Sequence, residues 1–192
     1  MAVNPFDCLA SGYDAWYDRN PEAFRAELDL ARPWALGKPG LEVGVGTGRF
    51  AGELGLGFGI DLALPGLRLA RARGVRVALA DAASLPFRDG AFELVAFFFT
   101  LEFLPDPVAA LSEARRVLGS GGRLLAMHFA PGTPGGEKVA EKKRDGHPLY
   151  SLVRGIYGST ELSGMLDGFR IISDTAAREP VDGVSLLVAK KT

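Results

Sequence analysis

The 192-residue chain has no glutamine and only two asparagines, Asn4 and Asn20, and its 16 arginines outnumber six lysines. Scarce amides are a trait reported for thermophile proteins. A GC-rich genome gives the same Arg, Ala, Gly and Pro bias, so both origins stay open. Cys8 is the only cysteine, which excludes an internal disulfide and a cysteine-based metal cluster. The only histidines are His128 and His147, and a metal-free domain is expected. The longest apolar run, Leu94 to Phe99 and on through Leu101, is far too short to span a bilayer. The opening Met-Ala-Val-Asn-Pro-Phe-Asp lacks a basic stretch followed by an apolar one, so no secretory signal is visible and a cytoplasmic location is expected. A net charge of −1 and a pI of about 6.1 provide no global positive field for nucleic acid or an anionic membrane. What the chain does have is 47% hydrophobic residues, enough for the core of one domain.

Apolar and aromatic positions Phe6, Leu9, Tyr13, Trp16 and Tyr17 fall near helical spacing, and Asn20-Pro21-Glu22 resembles a helix start with Asn as cap. Residues 5–36 therefore read as helical. Strands are expected at 41–45, 57–61, 75–79, 92–99 and 123–129, with helices at 48–54, 64–73 and 108–118 between them. Gly74 closes the second of these helices, and Gly119-Ser-Gly-Gly122 ends the third. Residues 131–158 are a Gly/Pro-rich loop and a charged helical segment. Ser159-Thr-Glu-Leu162 opens a last helix with capping chemistry, and strands near 169–174 and 183–190 finish the chain. Strands alternating with helices predict one α/β domain, a doubly wound, mostly parallel sheet. Such sheets bind ligands at the carboxyl ends of their strands. The loop at 44–48, Asp61, Asp81 and the 99–103 segment should converge there.

The densest signal is Leu41-Glu42-Val43-Gly44-Val45-Gly46-Thr47-Gly48-Arg49-Phe50. Glycine at every second position removes the β-carbons that would hold a ligand off the backbone, and the following helix start offers unpaired N–H groups to an anion. A tight strand–helix turn is the plainer explanation. A nicotinamide fingerprint wants a third glycine at position 49, where Arg49 stands, and no Gly-Lys-Ser/Thr follows to make a P-loop.

Glu-x-Gly-x-Gly-Thr-Gly at 42–48 resembles motif I of the class I S-adenosylmethionine-dependent methyltransferases. Gly59-Ile-Asp61, Ala80-Asp81-Ala82 with Leu85-Pro86-Phe87, Phe92-Glu93-Leu94-Val95, Glu113-Ala-Arg-Arg-Val-Leu118 to Gly122, and Ser159-Thr-Glu-Leu162 to Gly168-Phe169 resemble further family segments in the same order. The resemblance covers about residues 41–170. It implies a Rossmann-like, seven-stranded sheet with the last strand antiparallel. It also implies a helical N-terminal cover at 1–36, a substrate-side insertion at 130–158 and S-adenosylmethionine as cofactor. Under it, Asp61 takes the ribose diol, because an ionised acid accepts from both hydroxyls; alternatively it caps the next helix. Asp81 accepts from the adenine amino group, the Ala82 N–H meets a ring nitrogen and Leu62 packs on the adenine face. Gly44, Gly46 and Gly48 carry the methionine part, and Glu42 contacts its amino-acid end or braces the loop. Phe98 has the parity for a cofactor contact, although Phe97, Phe98 and Phe99 also read as core. Tyr13 and Tyr17 resemble the aromatic segment that covers the cofactor in relatives, or form a packed helix stripe.

The implied reaction is methyl transfer by in-line displacement to a small-molecule acceptor, without nucleic acid or membrane. The family's DNA-methylating Asn/Asp-Pro-Pro-Tyr/Phe and Pro-Cys signatures are missing. Glu102, His128 and Tyr150 are the substrate-side candidates for moving a proton; His128 equally reads as a hydrogen-bonded structural histidine. Thr100-Leu-Glu-Phe-Leu104 resembles a family Leu-Glu-His pattern with Phe103 replacing histidine. Glu141-Lys-Lys-Arg-Asp145 reads as a solvated helix face. A non-catalytic module that binds S-adenosylmethionine or S-adenosylhomocysteine, and a nicotinamide-dependent oxidoreductase, are the alternatives.

Overall fold

The computed structural model describes residues 4–35, 39–177 and 179–192. Residues 1–3 and 36 of the expected N-terminal cover lie outside that set. The cover begins with a 3-10 turn at Pro5–Cys8, then α1 (Ala10–Arg19) and α2 (Pro21–Ala35). Next come β1 (Gly40–Val43), α3 (Arg49–Leu54), β2 (Gly57–Asp61), α4 (Leu64–Ala72), β3 (Arg76–Leu79) and β4 (Phe92–Phe98). The chain continues through α5 (Pro107–Val117), β5 (Leu118–Phe129), α6 (Pro134–Arg144), α7 (Ser159–Met165), β6 (Phe169–Ala176) and β7 (Val184–Lys191). No helix among the described residues is long and apolar enough to cross a membrane.

The seven strands form one sheet in the order β3-β2-β1-β4-β5-β7-β6. β1 to β5 pair in parallel, and β7 runs antiparallel to both β5 and β6, as expected of a Rossmann-like methyltransferase sheet. Strand β4 shows why its sequence is nearly all apolar. Leu94, Ala96 and Phe98 enter the core beneath α1–α4, while Val95 and Phe97 enter the core beneath α5 and α7. A strand covered on both faces needs apolar residues at every position.

Three local expectations are corrected. Asn20 donates its side-chain N–H to the Trp16 carbonyl at 2.7 Å, closing α1, while only its backbone carbonyl opens α2, accepting from Phe24 at 3.1 Å. One residue joins two helices, and the orphan carbonyls of the first claim its side chain. Gly158, not Ser159, is the cap of α7, and no side chain caps it. The run Gly119–Gly122 is not a turn before a strand. Helix α5 passes directly into β5, and the glycines form a bulge over which the pairing steps from Phe92–Leu118 to Leu94–Arg123.

The connection from β3 to β4, residues 80–91, contains no helix or strand and is held from outside. Glu113 of α5 accepts from the Leu85 N–H at 2.8 Å, and Arg116 donates to the Phe87 and Leu85 carbonyls at 2.8 and 3.0 Å. Arg116 also pairs with Glu113 at 2.7 Å, and Phe87 packs edge-on against Phe58 and Phe92. Arg116→Ala should lower the urea-unfolding free energy by about 1–3 kcal/mol, the scale for charged hydrogen bonds. Arg116→Lys should recover only part of that, because a point charge cannot reach both carbonyls in the same fork.

Candidate functional site

The strand ends bring the first group of candidates together. Gly44 and Val45 both donate to the Ile60 carbonyl at 2.9 Å as the chain leaves β1. Asp61 closes β2; its two oxygens accept from the Gly46 and Ala63 N–H groups, each at 2.8 Å. Burial raises the Asp61 pKa, and the backbone N–H groups of Ala63, Gly46 and Leu62 offset part of that rise. The Ala80 N–H donates to the Asp61 carbonyl at 3.1 Å, which sets Asp81 on the neighbouring strand end. Asp81 turns its own loop by accepting from Ala83 at 2.9 Å, and Ala82 is buried behind it. Leu62 stands 55% exposed beside Asp61, a large apolar side chain left facing outward.

The three glycines have three different reasons to be glycine. All adopt positive φ, +74° at Gly44, +50° at Gly46 and +79° at Gly48. A β-carbon on Gly44 would strike the Thr100 side chain, and one on Gly48 would come within 2.7 Å of the Ala70 backbone in α4. At Gly46 nothing lies within 4 Å of that position. Only Gly46 opens bare backbone to a ligand. The other two let β4 and α4 approach the loop.

Arg49 begins α3 and fastens the cover to the loop. Its guanidinium donates to Asp14 at 2.8 Å and to Asp18 at 2.6 Å, both on α1. Arg73 meets the same Asp14 at 2.9 Å and the Thr47 carbonyl at 2.7 Å. Burial alone would raise the Asp14 pKa, but bonds from the two arginines outweigh it and hold the carboxyl well below its ordinary value.

Beneath α1 lies a chamber of about 250 Å³. Tyr13 and Trp16 of α1, Phe99 and Phe103 after β4, Phe129 at the end of β5, and Tyr150 line it, together with Glu27 of α2 and Lys138 and Lys142 of α6. Tyr13 and Tyr17 share a hydroxyl hydrogen bond of 2.8 Å. Phe99 has φ +52°, the left-handed region that non-glycine residues rarely occupy, and its ring lies against Phe129 with centroids 4.7 Å apart. Two carboxylates are buried on this side of the sheet. Glu27 is 4% and Glu42 2% exposed, and each has one oxygen, Oε2, without a partner among the described residues. Burial pushes Glu27 up to about 8 and lifts Glu42 well above its ordinary value.

Residues 41–126 match the family model of a methyltransferase domain. An uncharacterized protein of Mycobacterium tuberculosis is 41% identical over 170 residues, covering 85% of this chain and 59% of the relative. An uncharacterized protein of Methanocaldococcus jannaschii is 34% identical over 142 residues, covering 74% of this chain and 69% of the relative. A solved structure from Thermotoga maritima, described as a SAM-dependent methyltransferase and possible histamine N-methyltransferase, superposes with a TM-score of 0.87. It is 24% identical, and the match covers 98% of this chain and 99% of that one. The chain belongs to the class I S-adenosylmethionine-dependent methyltransferase family. It spans about three fifths of the mycobacterial relative's length (59%).

The substrate-side candidates separate. Tyr150 lines the chamber, with the His147 ring edge-on at 5.0 Å. Glu102 is 1% exposed and is a tether. Its Oε1 accepts from the Phe129 N–H at 3.0 Å, its backbone carbonyl accepts from Arg154 at 2.7 Å, and it does not line the chamber. His128 shares the opposite sheet face with Ala126, whereas Phe129 of the next register position lines the chamber. It is fully buried, burial lowers its pKa, and neither ring nitrogen has a partner in hydrogen-bond geometry among the described residues. Phe98 is 3% exposed and stacked on Phe50 at 4.7 Å, inside the core. Of the charged run 141–145, Lys142 is half-buried and turns inward, its ammonium 4.7 Å from the centre of the Tyr150 ring.

Residue-by-residue sequence reasoning missed Glu27 and Phe99. Glu27 did leave a signal: it falls among Phe24, Leu28, Ala31 and Ala35 on the apolar stripe of α2, where a charge is out of place. Phe99 reads as core, and only its place in the 99–103 segment puts it near the strand ends, since strand parity fails once its backbone turns left-handed.

Gly48→Ala should destabilise the fold by more than Gly46→Ala, which carries only the left-handed backbone cost of about 1–2 kcal/mol; urea titration separates the two. A pH test follows from Glu102, which burial raises to about 7. A carboxyl whose folded pKa is raised contributes stability below its unfolded value and loses it as pH rises through the folded one. Thermal unfolding of Glu102→Gln should therefore fall less steeply than wild type between pH 5 and about 8, by several degrees.

Proposed function

We propose that this protein transfers a methyl group from S-adenosylmethionine to a small molecule held in the chamber. The single observation that carries this is the juxtaposition of the open Gly46 backbone with Asp61, which accepts from its N–H, in a loop that packs through Gly44 on Thr100, the sequence neighbour of chamber residue Phe99.

The residues present fit the cofactor. Asp61 spends one lone pair of each oxygen on backbone N–H groups and keeps the others for a ribose diol. Exposed Leu62 offers an apolar face for adenine, and Asp81 and the Ala82 N–H stand on the adjoining strand end. Gly46 gives the amino-acid portion access to the main chain, and Glu42, buried with an orphan oxygen, suits its ammonium. Gly44 and Gly48 hold the shape of that loop. Tyr13 lines the chamber from α1, and Phe98 packs on Phe50 in the core. When bound, S-adenosylmethionine supplies an electrophilic methyl on a sulfonium that departs as a neutral thioether. The chain's own tasks are alignment and exclusion of water. Helices α1, α2 and α6 do both by roofing the chamber, and its size, below the usual range of about 300–1,000 Å³ for ligand pockets, suits a small acceptor.

Calorimetry should show S-adenosylmethionine binding to the wild type. Asp61→Ala should weaken it by about 1 kcal/mol or more, roughly fivefold or more, as expected for a charge-assisted hydrogen bond. Unchanged affinity in a folded variant overturns the ribose assignment. Binding without methyl transfer to any acceptor in a broad panel would support a sensing module instead.

A further inference from the structure

The nature of the acceptor is written in one carboxylate of the chamber, given the methyltransferase assignment above. Glu27 is buried, lines the chamber and leaves Oε2 without a partner among the described residues. The groups facing it are the linked hydroxyls of Tyr13 and Tyr17 from α1 and Tyr150 from the segment after α6. Lys138 and Lys142 of α6 and Asp182 before β7 line the same space, yet neither lysine forms an ion pair with Glu27 among the described residues. An unpaired carboxylate in an apolar cavity is costly until a cation meets it. The remaining walls are apolar for the most part and include the rings of Trp16, Phe99, Phe103 and Phe129, a residue type whose faces attract cations. Lys142 already demonstrates this, with its ammonium seated over the Tyr150 ring at the chamber's edge.

We propose that the acceptor is a small organic amine that enters as its ammonium, and that Glu27 is the catalytic residue that receives it and takes its proton. A hydroxyl acceptor fits less well, because losing its proton would leave an oxyanion beside a carboxyl and ring faces. For the amine, an N–H bond breaks and a carboxyl O–H bond forms. The freed lone pair makes the N–C bond while the methyl–sulfur bond breaks, its electrons staying on sulfur. The carboxyl then gives its proton to water, so one proton leaves for each methyl transferred. Burial raises Glu27 to about 8, between the ordinary carboxylate and ammonium ranges, which eases that exchange near neutral pH.

The test uses phenethylamine, with 2-phenylethanol and 4-ethylphenol as hydroxyl counterparts of similar size. Each is titrated calorimetrically into wild type and Glu27→Gln, both saturated with S-adenosylhomocysteine. The amine should bind wild type, with affinity rising as pH climbs through about 8 and the carboxylate ionises. In Glu27→Gln it should bind at least tenfold more weakly, with that pH dependence lost. S-adenosylhomocysteine affinity should be preserved in the variant, and its unfolding temperature should not fall below that of wild type. Glu27→Asp, which keeps the charge, should retain the pH dependence and serves as the readout if Glu27→Gln fails to fold. Equal amine affinity in wild type and Glu27→Gln, tighter binding of either hydroxyl compound, or no amine binding overturns the proposal. If S-adenosylhomocysteine itself fails to bind wild type, the methyltransferase assignment falls; if it binds and the amine arm fails, only the acceptor proposal falls.

Discussion

The site depends first on the grip of Asp14 on Arg49 and Arg73. The strand ends and glycine loop belong to the sheet, but the chamber exists only because α1 is held down over them. Asp14 is the contact that does this, bonding at 2.8 Å to the residue that opens α3 and at 2.9 Å to the residue that ends α4. Its side chain is only 17% exposed and Arg49's 15%, so water competes poorly for either. Isolated surface pairs contribute little. A carboxylate shared by two forked cations, one of which also holds the Thr47 carbonyl, forms a small network with defined geometry. Tyr13 and Trp16, the helix's contributions to the chamber wall, sit on either side of Asp14 and Ala15 in sequence, so the latch and the wall are one turn of one helix.

Much of the fold could be read from the sequence because its signals were periodic and local. The apolar strand at Phe92 announced burial on two faces, and Asp61 and Asp81 lay one strand apart because Asp61 closed β2 and Asp81 followed the end of β3. The boundaries failed where a residue had two possible employers. Asn20 could open α2 or close α1, and the run Gly119–Gly122 could be a turn or a bulge; only the tertiary pairing of β4 with β5 decided the latter. The segments Leu85-Pro86-Phe87 and Glu113-Ala-Arg-Arg116 looked like separate family marks. In three dimensions they are the two halves of a single clamp.

The site was less legible than the fold, for a physical reason. Donor-side positions come from the strand ends nearest the glycine loop, where topology fixes proximity. The chamber is assembled from α1, α2, α6, the ends of β4 and β5 and the segment at 150, whose relative placement is a packing outcome. Hence Tyr150 was found among the proton-handling candidates, while Glu102 proved to be a tether between β5 and the chain at 154 and His128 faced the other side of the sheet. Phe103, noted in the sequence only as a departure, supplies a ring wall where the family pattern has a polar side chain, and packs edge-on to Phe6 at 5.5 Å.

The close approach of Thr100 to Gly44 joins the two halves of the site through a single peptide link. Thr100 fills the volume that a side chain at Gly44 would need, and its sequence neighbour Phe99 forms the chamber floor. Donor loop and acceptor floor therefore keep a common datum. Phe103, whose N–H donates to the Thr100 carbonyl at 3.0 Å, and Phe129, packed on the Phe99 ring, are fixed to the same joint, while Tyr150 comes from a separate segment. New chamber shapes can be accommodated at Tyr150 without moving the glycine loop. In lineages built on this scaffold, substitutions should gather at that ring and leave the Gly44–Thr100 seam unchanged.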